Sequence, residues 1–222
     1  MKICAATGNA GKLRELRRIL GVLGHQVVSQ KDLGIDLEPE ETGSTFAENA
    51  RIKADAICAA SGLPTIADDS GLCVEALGGA PGVFSARYCG RHGDDEANND
   101  KLLEVMQEIP AERRSAKFVS AICLTLPSGQ HLTCTGECPG RIAARRMPGD
   151  YGFGYDPLFI PDECGVDRHG KRPNTEGRSY AQLTPDEKDA ISHRGRALAA
   201  LEEVLDAFLS QVKTEDLPAE EV

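Results

Sequence analysis

Long apolar runs are missing from this chain of 222 residues. No stretch approaches the roughly 20 residues that a membrane-spanning helix requires. The opening MKICAATGNAGK has a short apolar run after Lys2 that breaks at Gly8. It lacks the apolar segment of a secretory signal and reads as a first strand. Positive charge is scarce too: 25 Lys and Arg against 35 Asp and Glu leave a net charge of -10. That balance excludes a nucleic-acid polymer as partner, because such proteins carry a basic footprint. A single nucleotide, which needs only a few local cations, stays open. The eight cysteines form no C-x-x-C pair. Cys134 and Cys138 could share a metal, but no second ligand pair stands nearby, so zinc is not expected. Free thiols point to a reducing compartment, and the expectation is a soluble, cytoplasmic protein with no membrane partner. Internal repeats and long linkers are absent as well. The reading is therefore one domain over residues 1–213, followed by an acidic, frayed tail at 214–222.

What is present begins with Thr65 to Tyr88, TIADDSGLCVEALGGAPGVFSARY. The apolar Ile66 and Ala67 lead into adjacent carboxylates, Asp68 and Asp69, and Ser70-Gly71 reads as a turn. Two acids side by side must be solvated or neutralised by a cation. On this stretch alone, turn chemistry and a functional acid pair are equally good readings.

Elsewhere the pattern is strand, glycine loop, helix, strand. Residues 2–6 form a buried strand, Thr7 to Lys12 a loop, and Leu13, Leu16, Leu20 and Leu23 recur at helical spacing up to Gly24. Such a loop offers backbone N–H groups and a helix dipole to an anion, and Lys12 adds a cation. It is also what an ordinary strand-to-helix turn looks like, and it is not a P-loop. Thr45-Phe-Ala-Glu48 is a capping box that starts a helix to about Ser61. Phe46, Ala50, Ala54 and Ile57 make its inward stripe, and Lys53 falls on that stripe. An inward lysine wants an anion, although a lysine at the border can also snorkel to water. The acidic loop before the helix includes Glu41.

A helix is expected over Asp94 to Ile109, and an interior strand over Ala116 to Leu126 with a hairpin partner from His131. The aromatic fraction is only 5%, yet three aromatics fall between Tyr151 and Tyr155. Glycines among them let a ligand approach, and an aromatic face can stack on a planar base. A packed structural loop fits the same residues. Cys164 to Arg178 reads as a polar, basic loop. Thr184 to Glu187 is a capping box with Pro185 at the first helical position. Ser192-His193-Arg194-Gly195 then interrupts before a last amphipathic helix. The fold class is α/β: a central mixed sheet flanked by helices, expected as two lobes with the active-site cleft between them.

The motifs ATGNAGKLREL, EETGSTFAENARIKA, TIADDSGLCVEALGGAPGVFSARY, GFGYDPLF and EKDAISHRG stand in order from Lys2 to about Leu205. In these the chain resembles the inosine triphosphate pyrophosphatase, or Ham1-like, family. The resemblance implies hydrolysis of dITP, ITP and XTP to the monophosphate and pyrophosphate, with Mg2+, in a homodimer. It implies that Thr7, Gly8, Asn9, Ala10, Gly11 and Lys12 hold the triphosphate. Glu41 and Asp69 would hold the metal. Asp69 would accept the proton of the attacking water, Asp68 would support it, and Lys53 would neutralise phosphate charge. Ser70 would contact substrate. Phe153, Gly154, Tyr155 and Asp156 would form the base pocket, with His193 and Arg194 closing on the purine. Where the family has Gly-Lys-Thr, this chain has Gly177-Arg178-Ser179, so Arg178, or Lys171 nearby, would take the lysine's place. Two other readings fit the same residues: a pyrophosphatase for modified pyrimidine nucleotides, and a nucleotide sensor without catalysis.

Overall fold

The first strand alternates its residues between two cores. β1 (Lys2–Ala5) sends Ile3 and Ala5 into one apolar cluster, and Cys4 and the following Ala6 into another, as the period of two in a strand requires. In this computed structural model the described residues are 1–167 and 170–211, without the side chains of Asp167 and Gln211. The expected tail at 214–222 lies outside them. Among the described residues no helix is long and apolar enough to cross a membrane.

Six strands form one mixed sheet in the order β2-β1-β3-β4-β5-β6. β1 pairs in parallel with β2 (Gln26–Ser29) and with β3 (Thr65–Val74), and β5 (His131–Ile142) pairs antiparallel with β6 (Phe159–Pro161). β4 covers Ser115–Thr125. The helices are α1 (Ala10–Val22), α2 (Phe46–Ser61), α3 (Asp95–Val105), α4 (Pro185–Ile191) and α5 (His193–Gln211). Two of the sequence expectations need correction. Ser70-Gly71 is no turn: β3 runs unbroken for ten residues through both acids. The basic segment after Cys164 is no loop throughout, because β7 (Glu163–Asp167) and β8 (Gly170–Pro173) pair antiparallel as a hairpin. In both places tertiary pairing overrides local propensity.

The chain divides into two compact units. The first comprises Met1–Asp69, Ala121–Thr135 and the chain from Ala197; the second comprises Ser70–Ser120 and Gly136–Arg196. In the first unit the sheet carries a core on each face. Ile3, Ala5, Ile66, Ile122 and Leu124 pack with Leu16 and Leu20 of α1 and with Leu198, Leu201 and Leu205 of α5. Cys4, Ala6, Ala67, Ala121 and Cys123 pack with Ala50, Ala54 and Ile57 of α2. Helix α2 is held at both ends, by the capping box of Thr45 with Glu48 and by Gly62 in the left-handed conformation. The core of the second unit joins Leu72, Val74, Phe118, Tyr155, Phe159, Tyr180 and Ile191.

Candidate active site

The alternation of β3 explains how two neighbouring acids coexist. Ile66 faces α1 and Ala67 faces α2. Two residues further on, Asp68 and Asp69 keep those directions. Each therefore meets the lysine of the helix on its own face. Lys12 of α1 lies 2.9 Å from Asp68 Oδ2. Lys53 of α2 lies 3.0 Å from Asp69 Oδ1 and 2.8 Å from Glu41 Oε1. Both lysines also donate to the Asp68 carbonyl oxygen, Lys12 at 3.3 Å and Lys53 at 3.1 Å. Asp68 and Asp69 are 1% and 6% exposed. These ion pairs are therefore largely desolvated, and each charge depends on its partner.

The cluster is electrostatically poised. Burial pushes the Asp69 carboxyl above the ordinary carboxylate range, and the Lys53 and Lys12 ammonium groups only partly offset this. Burial opposes the charge on Lys53, but the Asp69 and Glu41 carboxylates outweigh it and hold Lys53 above the ordinary lysine value. Asp69 Oδ2 is buried and has no hydrogen-bond partner in the protein. A buried carboxylate oxygen left this way costs about 1–3 kcal/mol or more. A hard cation beside Asp69 and Glu41 would satisfy it. Among the described residues no three His, Cys, Asp or Glu side chains gather as a self-sufficient metal cage. Two carboxylates suit an ion that takes its remaining ligands from water and phosphate, as magnesium does.

The Thr7 to Lys12 loop belongs to the same unit. Asn9 caps α1, its Oδ1 accepting from Lys12 N at 3.0 Å, and Asn9 N donates to Thr7 Oγ1 at 3.1 Å. Gly8, Asn9 and Ala10 are exposed, and nothing lies within 4 Å of the space a side chain at Gly8 would fill. The turn is thus fixed at its two ends and open at its crest, where an anion can reach backbone N–H groups.

The second unit gathers Ser70, Phe153, Asp156, His193 and Arg194. Arg194, 1% exposed, donates from Nη2 to Ser70 Oγ at 3.0 Å. The His193 ring stacks on Phe118 at 4.7 Å and 15°, and Phe118 stacks in turn on Tyr180 at 5.6 Å. Asp156 Oδ2 accepts from Phe153 N at 2.8 Å and from Lys188 Nζ at 2.7 Å. Gly152 is needed beside it, because a Cβ there would stand 2.0 Å from Asp156 Oδ2. Tyr155 is turned into the core, and its hydroxyl donates to the Ser85 carbonyl at 2.9 Å.

Arg178 makes a two-point contact with Glu187, the residue before Lys188, with Nη2 at 2.9 Å and Nη1 at 3.2 Å. Lys171 pairs with Glu163 at 3.3 Å. The buried lysine of this group is Lys188, which the sequence reading passed over. It forms a nearly waterless pair with Asp156, and its Nζ lies 5.0 Å from the Phe153 ring centre and 5.1 Å from that of Tyr180. No local pattern marks it: Lys188 stands in the last turn of α4, where a cation suits the helix dipole, and its partner Asp156 lies 32 positions earlier in the chain.

The sequence profile of the Ham1 family matches residues 3–204. A Nocardia farcinica protein named dITP/XTP pyrophosphatase is 50% identical over 215 residues, covering 96% of this chain and 98% of the relative. A Mycolicibacterium paratuberculosis protein of the same name is 51% identical, covering 93% and 96%. Among solved structures, a HAM1 protein from Coxiella burnetii superposes with a TM-score of 0.77 at 40% identity, covering 93% of this chain and 99% of that one. A Mycobacterium abscessus nucleoside-triphosphatase, dITP/XTP pyrophosphatase, gives a TM-score of 0.68 at 48% identity, covering 90% and 98%. With this likeness along nearly its whole length, the chain belongs to the Ham1 family.

Proposed function

We propose that this protein hydrolyses dITP, ITP and XTP to the nucleoside monophosphate and pyrophosphate, with Mg2+. The observation that carries the reading is Asp69 Oδ2, buried and unsatisfied beside a lysine that bridges Asp69 to Glu41. Glu41 and Asp69 would hold the cation, which supplies charge neutralisation for the polyphosphate and acidifies a nearby water. The open loop from Thr7 to Lys12 binds phosphate oxygens through its N–H groups, and Lys12 and Lys53 add positive charge. Asp69 takes the proton of the water that attacks phosphorus. Asp68 holds Lys12 in position.

Base recognition falls to Phe153, Gly154 and Asp156, with Lys188, His193 and Arg194. Lys188 and Arg194 are hydrogen-bond donors. They match the 6-oxo acceptor of hypoxanthine and xanthine and oppose the 6-amino donor of adenine, the kind of mismatch that buried polar groups punish strongly; guanine shares the 6-oxo group, so its rejection has to act on its 2-amino group. The names carried by the Nocardia and Mycolicibacterium relatives support this substrate class. A homodimer follows from the same resemblance. A reducing cytoplasm suits the free cysteines.

The test is a panel of nucleotides with Mg2+, measuring pyrophosphate release. The proposal expects dITP and XTP to be turned over far faster than dATP and dGTP. Equal rates on all four would remove the selectivity. Preference for a modified pyrimidine would replace the substrate class, and binding without release would make the protein a sensor.

A further inference from the structure

Gly154 sits at the centre of the base loop with φ +60, a left-handed conformation. It is held there from both sides by one helix. Gly154 N donates to Asp95 Oδ2 at 2.9 Å, and Gly154 O accepts from Asn99 Nδ2 at 2.9 Å. Asp95 and Asn99 are one turn apart at the start of α3, and Asn99 Nδ2 also donates to Asp95 O at 2.8 Å. The contacts close a ring: Gly154 N–H to the Asp95 carboxylate, Asp95 carbonyl to the Asn99 amide, Asn99 amide to Gly154 carbonyl.

The chemistry of this ring is specific. The Asn99 amide faces two carbonyl oxygens, so only its NH2 side can sit there. Asn99 is 2% exposed, and its Oδ1 is buried without a partner in the protein. An unsatisfied buried acceptor is costly. The position therefore keeps an amide for what its Nδ2 does, at the expense of what its Oδ1 lacks. The two peptide planes flanking Gly154 are fixed by these bonds. Those planes carry Phe153 on one side and lead through Tyr155 to Asp156 on the other, the two residues tied to Lys188.

We infer that Asp95 and Asn99 are specificity-determining positioning residues, which clamp Gly154 so that Phe153 and Asp156 present one rigid surface to the base. This rests on the proposed hydrolysis of dITP and XTP. Neither residue touches the acids of β3 in the contacts described above. Their loss should therefore loosen base discrimination and leave phosphate chemistry alone.

The variants are Asn99→Asp, which puts an acceptor against two carbonyl oxygens, and Asp95→Asn. Asn98→Ala is the packing control. Asn98 is buried equally on the same helix, but its amide serves Cys89 N and Ala86 O instead of the base loop. Two quantities are measured at a temperature where all variants are folded. One is the ratio of kcat/KM for dITP over dGTP, with the Mg2+ half-saturation. The other is amide hydrogen exchange across residues 152–156. For Asn99→Asp the ratio should fall by about tenfold or more, through KM for dITP, with an unchanged Mg2+ requirement. Exchange at 152–156 should quicken. Asp95→Asn should do the same more weakly, because Asp95 is exposed. Asn98→Ala should leave both quantities at their wild-type values. A wild-type ratio and wild-type exchange in Asn99→Asp would overturn the clamp, and so would equal erosion in Asn98→Ala. If the wild-type protein shows no preference for dITP, the proposed function fails, and the exchange measurement still decides the clamp.

Discussion

The two site groups solve the burial of charge differently. Around β3, the carboxylates of Asp68, Asp69 and the loop residue Glu41 are balanced by two lysines, with one carboxylate oxygen left over. In the second unit, Asp156 and Lys188 match one to one and are packed beneath aromatic rings. The first arrangement holds an excess of negative charge that a cation can complete, which suits chemistry on phosphate. The second is already complete and rigid, which suits recognition of shape and of hydrogen-bonding pattern. Under the proposed function, the charge left over is where the reaction would occur, and the paired charge is where the base would be sorted.

The contrast breaks most sharply at Lys188. Lys188→Met leaves Asp156 buried without its cation and should cost about 3–5 kcal/mol of stability, read by urea denaturation. Adding Asp156→Asn to it should restore much of that stability and none of the base discrimination. A double variant as selective as wild type would show that the pair serves packing alone.

At Lys53 the expected effect falls on turnover. Lys53→Met separates Glu41 from Asp69 and should slow pyrophosphate release by about a hundredfold. It also removes a cation that partly offsets the burial of Asp69. The Asp69 carboxyl should then bind its proton more tightly. Because the working form is the deprotonated one, the low-pH limb of the rate profile should move to higher pH. A limb that stays in place would uncouple the two side chains.

The smallest effect lies outside both groups. Glu187 caps α4 and receives Arg178, and its pKa falls from 4.5 to about 2, chiefly through the Arg178 hydrogen bond. A carboxyl lowered on folding stabilises above its unfolded pKa, and that contribution drains away as the pH drops through the folded value. Glu187→Gln should lower Tm by a few degrees at pH 7, on the order of the 1 kcal/mol that a cap supplies, and the deficit should shrink between pH 4.5 and pH 2. A constant deficit across that range would mean that the charge of Glu187 is idle.

Sequence alone made some of this legible and hid the rest for physical reasons. The capping box at Thr45 and the inward stripe of α2 announced both the helix and the half-buried Lys53, because helical spacing is local. The aromatic and glycine residues at 152–156 announced a special loop in the same way. The continuity of β3 was hidden, since Ser70-Gly71 favours a turn and only pairing within the sheet keeps it extended. That Asp68 and Asp69 meet lysines of different helices was hidden with it, because a turn has no two faces. Arg178 drew attention by standing at a family position, while its guanidinium is held by Glu187. Lys188 drew none, since its partner Asp156 lies 32 positions earlier in the chain. The clamp on Gly154 spans 55 and 59 positions and leaves no local trace.

The central claim is that Asp69 performs chemistry and does not merely hold substrate. The most direct measurement is pyrophosphate release by Asp69→Asn at saturating dITP and Mg2+, alongside its Kd for the nucleotide. Release should fall by at least about a thousandfold while Kd stays within about threefold of wild type. Release near the wild-type rate would contradict the account and take Asp69 out of the reaction.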